Sequence, residues 1–349
     1  MINNSIFSTE ILRWFRENGR DLPWRETRDP YAIWLSEIIL QQTRIAQGWE
    51  YWERFMQTYP KVEDLAAASE DDVLKLWQGL GYYSRARNLH TAAKQIVALG
   101  AFPNTLEGIK SLKGVGDYTA AAIGSFAFDI PAAVVDGNVY RVLSRYFGID
   151  TPVNSTQGKK EFAALAQSLL PASDAASYNQ GMMDFGAIQC TPQSPKCLLC
   201  PLAETCEALR CGRVEELPVK NKTVKVKTRH LSYIYIRCKS SAADGTGISE
   251  PMVAIHRRGE GDIWQGLWEP YNVSDVKELP SFVKNPILLA KDVKHVLTHR
   301  ILLADFYLLE TESRPQLPDD YIWIRESEIE DYGVPRLIEI MLEKINSAE

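Results

Sequence analysis

At 349 residues, 45% apolar and with a mean hydropathy of −0.22, the chain has an ordinary soluble composition and enough length for two cores. No apolar run spans a bilayer, since Thr119–Val135 is broken by Asp129 and Pro131, and Met1–Glu10 has no signal-peptide character; a cytoplasmic chain with no membrane partner is expected. The net charge of −6 is uneven: residues 1–229 carry 26 Lys and Arg against 25 Asp and Glu, residues 230–349 carry 13 against 20, so any polyanion would need local basic patches in the first part.

In chain order, Pro30–Thr43 has apolar residues at helical spacing (Ile33, Trp34, Ile38). Ser69-Glu-Asp-Asp before Val73-Leu-Lys-Leu-Trp predicts a capped helix start. Leu89–Leu99 is amphipathic and stops at Gly100, and Glu161–Leu170 is closed by Pro171. Almost no alternating pattern precedes residue 220, which predicts an all-α domain over 1–212. A basic linker is expected over 213–229, with five Lys or Arg from Val219 to Arg229; it either follows a phosphate backbone or is simply solvated. From His230 the period changes to two, in Leu231–Cys238, Met252–His256 and Ile301–Glu310, and Pro335–Ile345 reads as a final helix. Residues 230–349 are therefore expected to form an α+β domain.

Six cysteines occur, and four fall within 17 residues as Cys190-x6-Cys197-x2-Cys200-x5-Cys206. In a reducing compartment such clustering points to a metal site before disulfides. Four thiolates on a tight loop suit a [4Fe–4S] cluster. Zinc, which more often takes paired CxxC or mixed Cys/His ligands, is the alternative. In Leu112-Lys-Gly-Val-Gly-Asp-Tyr-Thr, Gly114 and Gly116 make a sharp turn whose bare amides precede a helix, an arrangement that accepts a phosphate oxygen. Asp136 stands twenty residues later in Val134-Val-Asp-Gly-Asn-Val. Glu37, Leu40, Gln41 and Arg44 share a helix face; a carboxylate there is either a solvated edge residue or a pocketed group with raised pKa.

The cysteine loop, the glycine turn and Asp136 together resemble the endonuclease III, helix-hairpin-helix superfamily of DNA glycosylases. Leu22-Pro-Trp-Arg25 followed by Ser36-Glu-Ile-Ile-Leu-Gln-Gln-Thr43 resembles its adenine-removing, MutY-type branch. The resemblance is dense from Leu22 to Cys206 and thin after His230. It implies a glycosylase domain with a [4Fe–4S] loop that contacts DNA through residues such as Lys196 and Arg210. It also implies removal of adenine opposite 8-oxoguanine or guanine in double-stranded DNA, by a monomeric, nucleoid-associated enzyme. Tyr118 stands where strand-cutting relatives carry a Schiff-base lysine, so the strand should stay intact. Glu37 falls on the family's general acid, which protonates adenine N7, and Asp136 on the carboxylate that stabilises the sugar oxocarbenium. Asn138 orients Asp136, and Tyr118 hydrogen-bonds within the site. Trp24, Arg25, Leu40 and Gln180 match the adenine pocket, and Gln42 and Tyr82 match residues that wedge into the duplex so that the base can be extruded.

The second domain resembles the Nudix-like module appended to this branch, which reads 8-oxoguanine. Its reading loop is expected at His295-Val-Leu-Thr-His299, with Leu297, Thr298 and His299 contacting DNA. Leu297 replaces the family's usual aromatic, and Gly266-Leu-Trp-Glu-Pro-Tyr departs from the family turn. Arg325-Glu-Ser-Glu-Ile-Glu-Asp-Tyr-Gly resembles part of a Nudix metal box, but Thr311 stands where the box needs glycine and the paired acids are broken. No phosphohydrolase activity is expected, and the segment reads as a charged helix start. Three competing readings remain: a lyase-competent pyrimidine glycosylase, a non-catalytic DNA-binding iron–sulfur protein and, against the broken metal box, a nucleotide hydrolase in the second domain.

Overall fold

The structure is a computed structural model that describes residues 4–221, 226–239, 250–274 and 279–348. Its contacts divide the chain into two compact units: residues 1–67 with 91–222, and residues 68–90 with 223–349.

The first unit is helical, as its periodicity predicts. Pro30–Ile39 begins with Asp29 accepting a hydrogen bond from the Tyr31 amide at 3.0 Å and with proline in the first turn, where its missing N–H has no partner to lose. Every residue from Tyr31 to Ile39 is buried, Glu37 among them. The helix ends at Ile39, four residues short of the span read from sequence, and Gln42 beyond it takes a left-handed backbone (φ 56°). Asp117–Phe128 packs against it, and its own small residues Ala120, Ala121, Ala122 and Gly124 are buried. A methyl group at Gly124 would lie 2.9 Å from Leu106. Gly137–Phe147 and Ala175–Asp184 share a core with Phe7, Ile11, Trp14 and Phe162.

Among the described residues the second unit carries seven strands: β1 Lys227–Cys238, β2 Met252–Arg257, β3 Trp268–Glu269, β4 Tyr271–Ser274, β5 Ile287–Val296, β6 Arg300–Thr311 and β7 Tyr321–Arg325. They form one mixed sheet in the order β3-β2-β1-β6-β5, with β4 on β1 and β7 on β2. β1 runs parallel to β6 from Lys227↔Arg300 to Cys238↔Thr311, exposed over its first residues and buried on both faces from Tyr233 on. Leu231, Tyr233 and Tyr235 enter one core and Ile234 and Ile236 the other, as period-two geometry requires. Leu337, Ile338, Met341 and Ile345 of the terminal helix Arg336–Ala348 close the first of these cores.

Two local expectations change. Residues 222–225 of the expected linker lie outside the described residues, but Lys227–Arg229 are already strand, because β6 supplies them with backbone partners. On the other side, Val219 accepts the Val153 amide at 3.0 Å and Asn221 exchanges hydrogen bonds with Asn154, so that stretch is docked on the first unit. The charged segment after Arg325 is a short 3-10 turn, Glu326–Asp331.

Candidate active site and iron–sulfur loop

Glu37 sits in the last turn of Pro30–Ile39, 7% exposed, and accepts a hydrogen bond from the Tyr118 hydroxyl at 2.9 Å. Tyr118 comes from the first turn of Asp117–Phe128. Burial pushes the Glu37 carboxyl up to about 7; the Tyr118 hydrogen bond pulls down, Asp136 pushes up and Arg25 pulls down more weakly. Burial likewise raises the Tyr118 phenol well above its ordinary value, so it remains a donor. A carboxyl held in this way keeps its proton near neutral pH and can deliver it to a base.

Asp136 caps Gly137–Phe147, accepting the Val139 amide at 2.8 Å, and takes a second hydrogen bond from Asn138 Nδ2 at 2.7 Å. Burial raises its pKa, against the pull of those donors and of Arg141. Arg141 Nη2 donates to Asn138 Oδ1 (2.8 Å) and to the Gly186 carbonyl (2.6 Å), and its Nε donates to the Cys190 carbonyl (2.8 Å). Gly186 is tightly required: a Cβ there would lie 2.6 Å from that of Asn138. It sits in the wide-turned segment Phe185–Gln189, a helical irregularity of the kind found at functional sites.

Glu37 lines a cavity of about 60 Å³ together with Trp24, Arg25, Leu40 and Gln180, so all four expected pocket residues meet the expected acid. Arg20 and Phe126, which sequence reasoning did not single out, are also in its wall. Asp136, Asn138 and Tyr118 do not line that cavity; Tyr118 reaches Glu37 through its hydroxyl. Asp184 was missed as well: its carboxylate binds both Arg20 and Arg25. The available signal was an acid in the otherwise apolar run Met182-Met-Asp-Phe185, which marks the residue but not its partners.

Gly114 has φ 78° and Gly116 caps Asp117–Phe128 with open space where a side chain would stand. Val115 between them is buried and pins the turn, while both glycines are exposed. Asp117 in that first turn is paired with Lys110, which offsets a negative charge beside the amides. Gln42 and Tyr82 both hold positive φ (56° and 47°) and are exposed. For residues with side chains this costs about 1–3 kcal/mol and recurs at functional positions.

In the second unit the Tyr82 and Thr298 hydroxyls lie 2.6 Å apart. Leu297 is half-buried against the core beneath the sheet, and Val296 is the exposed apolar residue of this turn. His299 is exposed; its carbonyl accepts the Lys227 amide. His295 faces Trp264, with ring centroids 5.8 Å apart. Glu269 of the altered turn is buried and bound by Arg258, Tyr233, His256 and Asn272, which satisfies it with no metal.

Cys190, Cys197, Cys200 and Cys206 line one cavity with Arg145, Gln189 and Lys196. Arg145 Nη1 donates to the Cys190 sulfur (3.4 Å) and to the Thr191 carbonyl (2.7 Å). Burial and the neighbouring thiols push Cys200 up to about 12, so thiolates here need a cationic centre to stabilise them. Four cysteines lining one cavity beside a guanidinium fit a [4Fe–4S] cluster, which Cys190, Cys197, Cys200 and Cys206 would hold; Arg141 and Arg145 tie this loop to Gly137–Phe147 through the Cys190, Thr191 and Pro192 carbonyls. Cys211 and Cys238 lie outside the site.

The model of the HhH-GPD superfamily of base excision DNA repair proteins matches residues 35–172, that of the iron–sulfur binding domain of endonuclease III matches residues 190–206, and a NUDIX domain model matches residues 248–344. Adenine DNA glycosylase of Buchnera aphidicola subsp. Schizaphis graminum is 30% identical over 97% of this chain and 98% of its own. The mouse enzyme of that name is 43% identical over 61% of this chain, a match that spans 44% of its own length. Among solved structures, a thermostable thymine-DNA glycosylase is 34% identical with a TM-score of 0.56, covering 60% of this chain and 97% of its own. An endonuclease III–DNA covalent intermediate, 23% identical with a TM-score of 0.53 over 61% of this chain and 99% of its own, shares the fold. The chain belongs to the adenine DNA glycosylase family, with an endonuclease III-type [4Fe–4S] loop and a C-terminal Nudix-like domain.

Proposed function

We propose that this chain removes adenine mispaired with 8-oxoguanine or guanine in double-stranded DNA and leaves an uncut abasic strand. The observation that carries the reading is a buried Glu37, pushed up to about 7 and hydrogen-bonded to Tyr118, in the wall of a pocket with Trp24, Arg25, Leu40 and Gln180. Adenine leaves poorly as an anion, so Glu37 donates a proton to N7; the C1′–N9 bond then breaks with both electrons passing to the base. General acid catalysis of this kind contributes about 10²–10⁴-fold. Positive charge develops at C1′ and the ring oxygen, and Asp136, oriented by Asn138 and the Val139 amide, stabilises it. Water adds to C1′ and its proton passes to the Glu37 carboxylate, which regenerates the acid. Tyr118 has no amine, so no imine forms with the sugar and no strand cut follows.

Gly114, Gly116, Gln42 and Tyr82 hold and wedge the duplex in this reading. Thr298 and His299 read the base opposite the adenine, and Leu297 reaches it only by leaving its half-buried place. The same reading keeps a helical glycosylase domain and a sheet domain, with residues 68–90 grouped with the latter. The test is a duplex containing A:8-oxoG, incubated with protein and analysed with and without alkali. Strand breaks only after alkali are expected. Breaks without alkali would replace the reading with a lyase mechanism, and tight binding with no adenine release would replace it with a non-catalytic one.

A further inference from the structure

We propose that Asp184 is a positioning residue for base release: its buried carboxylate gathers the guanidinium groups of Arg20 and Arg25 and keeps both from pairing with Glu37. The inference rests on Glu37 acting as the acid.

Asp184 is the last residue of Ala175–Asp184 and its side chain is fully buried. Arg25 grips it bidentately, Nη1 to Oδ2 and Nη2 to Oδ1, both at 2.8 Å. Arg20 adds its Nε to Oδ1 and its amide to Oδ2, each at 2.9 Å, together with a contact from Nη2. Arg25 Nη1 also donates to the Arg20 carbonyl at 3.0 Å, and its guanidinium lies 5.6 Å from the Phe15 ring centre. One carboxylate thus receives five donors and fixes two cations in planes they cannot easily leave.

Those cations line the same cavity as Glu37. The charged and titratable groups around Glu37 are Tyr118 on Asp117–Phe128, Asp136 at the head of Gly137–Phe147, Arg25 and, in the cavity wall, Arg20. Arg141 faces Asp136 from the same helix. Among the described residues no arginine forms an ion pair with Glu37. An arginine beside a carboxylate typically depresses its pKa by about 1–3 units, enough to strip the proton that base release needs. Asp184 itself stays ionised: burial pushes it up, but the hydrogen bonds and charge of Arg25 and Arg20 outweigh burial and hold it below the usual carboxylate range. The arginines are therefore kept occupied across the working pH, while Arg25 still presents an edge to the pocket.

The test is the pH dependence of single-turnover adenine release at saturating protein, for wild type, D184N, D184E and R25Q, with E37Q alongside. In D184N the freed guanidiniums are expected to lower the alkaline limb of the profile by about one unit or more, so that release at pH 7.5 falls about tenfold and recovers at acid pH. D184E, which keeps the carboxylate, should hold the limb near the wild-type position. A purely structural role would reduce release equally at every pH, and an unmoved limb in a folded D184N overturns the proposal. Should D184N not fold, R25Q decides: a rise of the limb by about half a unit or less supports the proposal, and a rise of a full unit or more means Arg25 already pairs with Glu37 and overturns it. Adenine release by E37Q at the wild-type rate would end the general-acid reading itself, a failure distinct from an inactive E37Q with an unmoved D184N limb.

Discussion

Tyr118→Phe removes one hydroxyl and leaves the ring. In the structure that hydroxyl donates 2.9 Å to Glu37 Oε2, and this bond favours the ionised carboxylate. Hydrogen bonds to charged groups are worth about 1.5–3 kcal/mol, and one pKa unit corresponds to about 1.4 kcal/mol. Glu37 in the variant should therefore titrate about one unit or more above its position near 7. The acid works only when protonated, so release is present below this pKa and lost above it. At pH 8 a group titrating near 7 is protonated in roughly a tenth of molecules, and one titrating near 8 in about half. Relative to its own acid plateau, the variant should thus be about fivefold more active at pH 8 than wild type. The assay is single-turnover adenine release from an A:8-oxoG duplex between pH 5.5 and 9. An alkaline limb that stays in place, or moves down, would refute the assignment of this hydrogen bond.

Further outcomes follow from the same geometry. Glu37 titrates at 4.5 in its ordinary state and about 7 when folded, so its contribution to stability is complete below about 4.5 and lost as pH rises through 7. Glu37→Gln should accordingly be inactive yet more stable than wild type at pH 8 by roughly 3 kcal/mol, with the difference in melting temperature shrinking toward pH 5. Asp136→Asn keeps a side chain able to cap Gly137–Phe147, so helix content should hold while release falls by about 10²–10³, read by circular dichroism and single-turnover kinetics. Gly186→Ala drives a methyl into Asn138 and should cost about 1–3 kcal/mol with a reduced release rate, measured by thermal melts beside kinetics. Cys200→Ser should lower bound iron and loosen the Cys190–Cys206 loop, read by iron content and proteolysis of the loop.

The parts of this molecule legible in sequence were those set by local rules. Ser69 does cap its helix, accepting the Asp72 amide at 3.1 Å. The glycine turn and the cysteine spacing name their own geometry. Glu37 is different: helical spacing alone left it as an edge residue or a pocketed acid, and only the burial of the whole Tyr31–Ile39 helix decides for the pocket. Asp184, Arg20, Arg141 and Gly186 escaped because their roles depend on partners 45 to 164 residues away, which no local pattern encodes. Strands β3, β4, β5 and β7 escaped for related reasons. β3 and β4 are short, and β5 is an edge strand with register shifts that blur its alternation. Leu297 shows the reverse case: the sequence marks it as part of an expected reading loop, while its packing against the core required the fold.

The central claim is that Glu37 holds a proton near neutral pH, and it can be measured without turnover. Infrared difference spectra of wild type minus E37Q, recorded from pH 4.5 to 9, isolate this one carboxyl. A protonated C=O stretch that disappears with a midpoint near 7 is the predicted result. A band already converted to carboxylate by pH 5.5 would contradict it and leave adenine N7 without its donor.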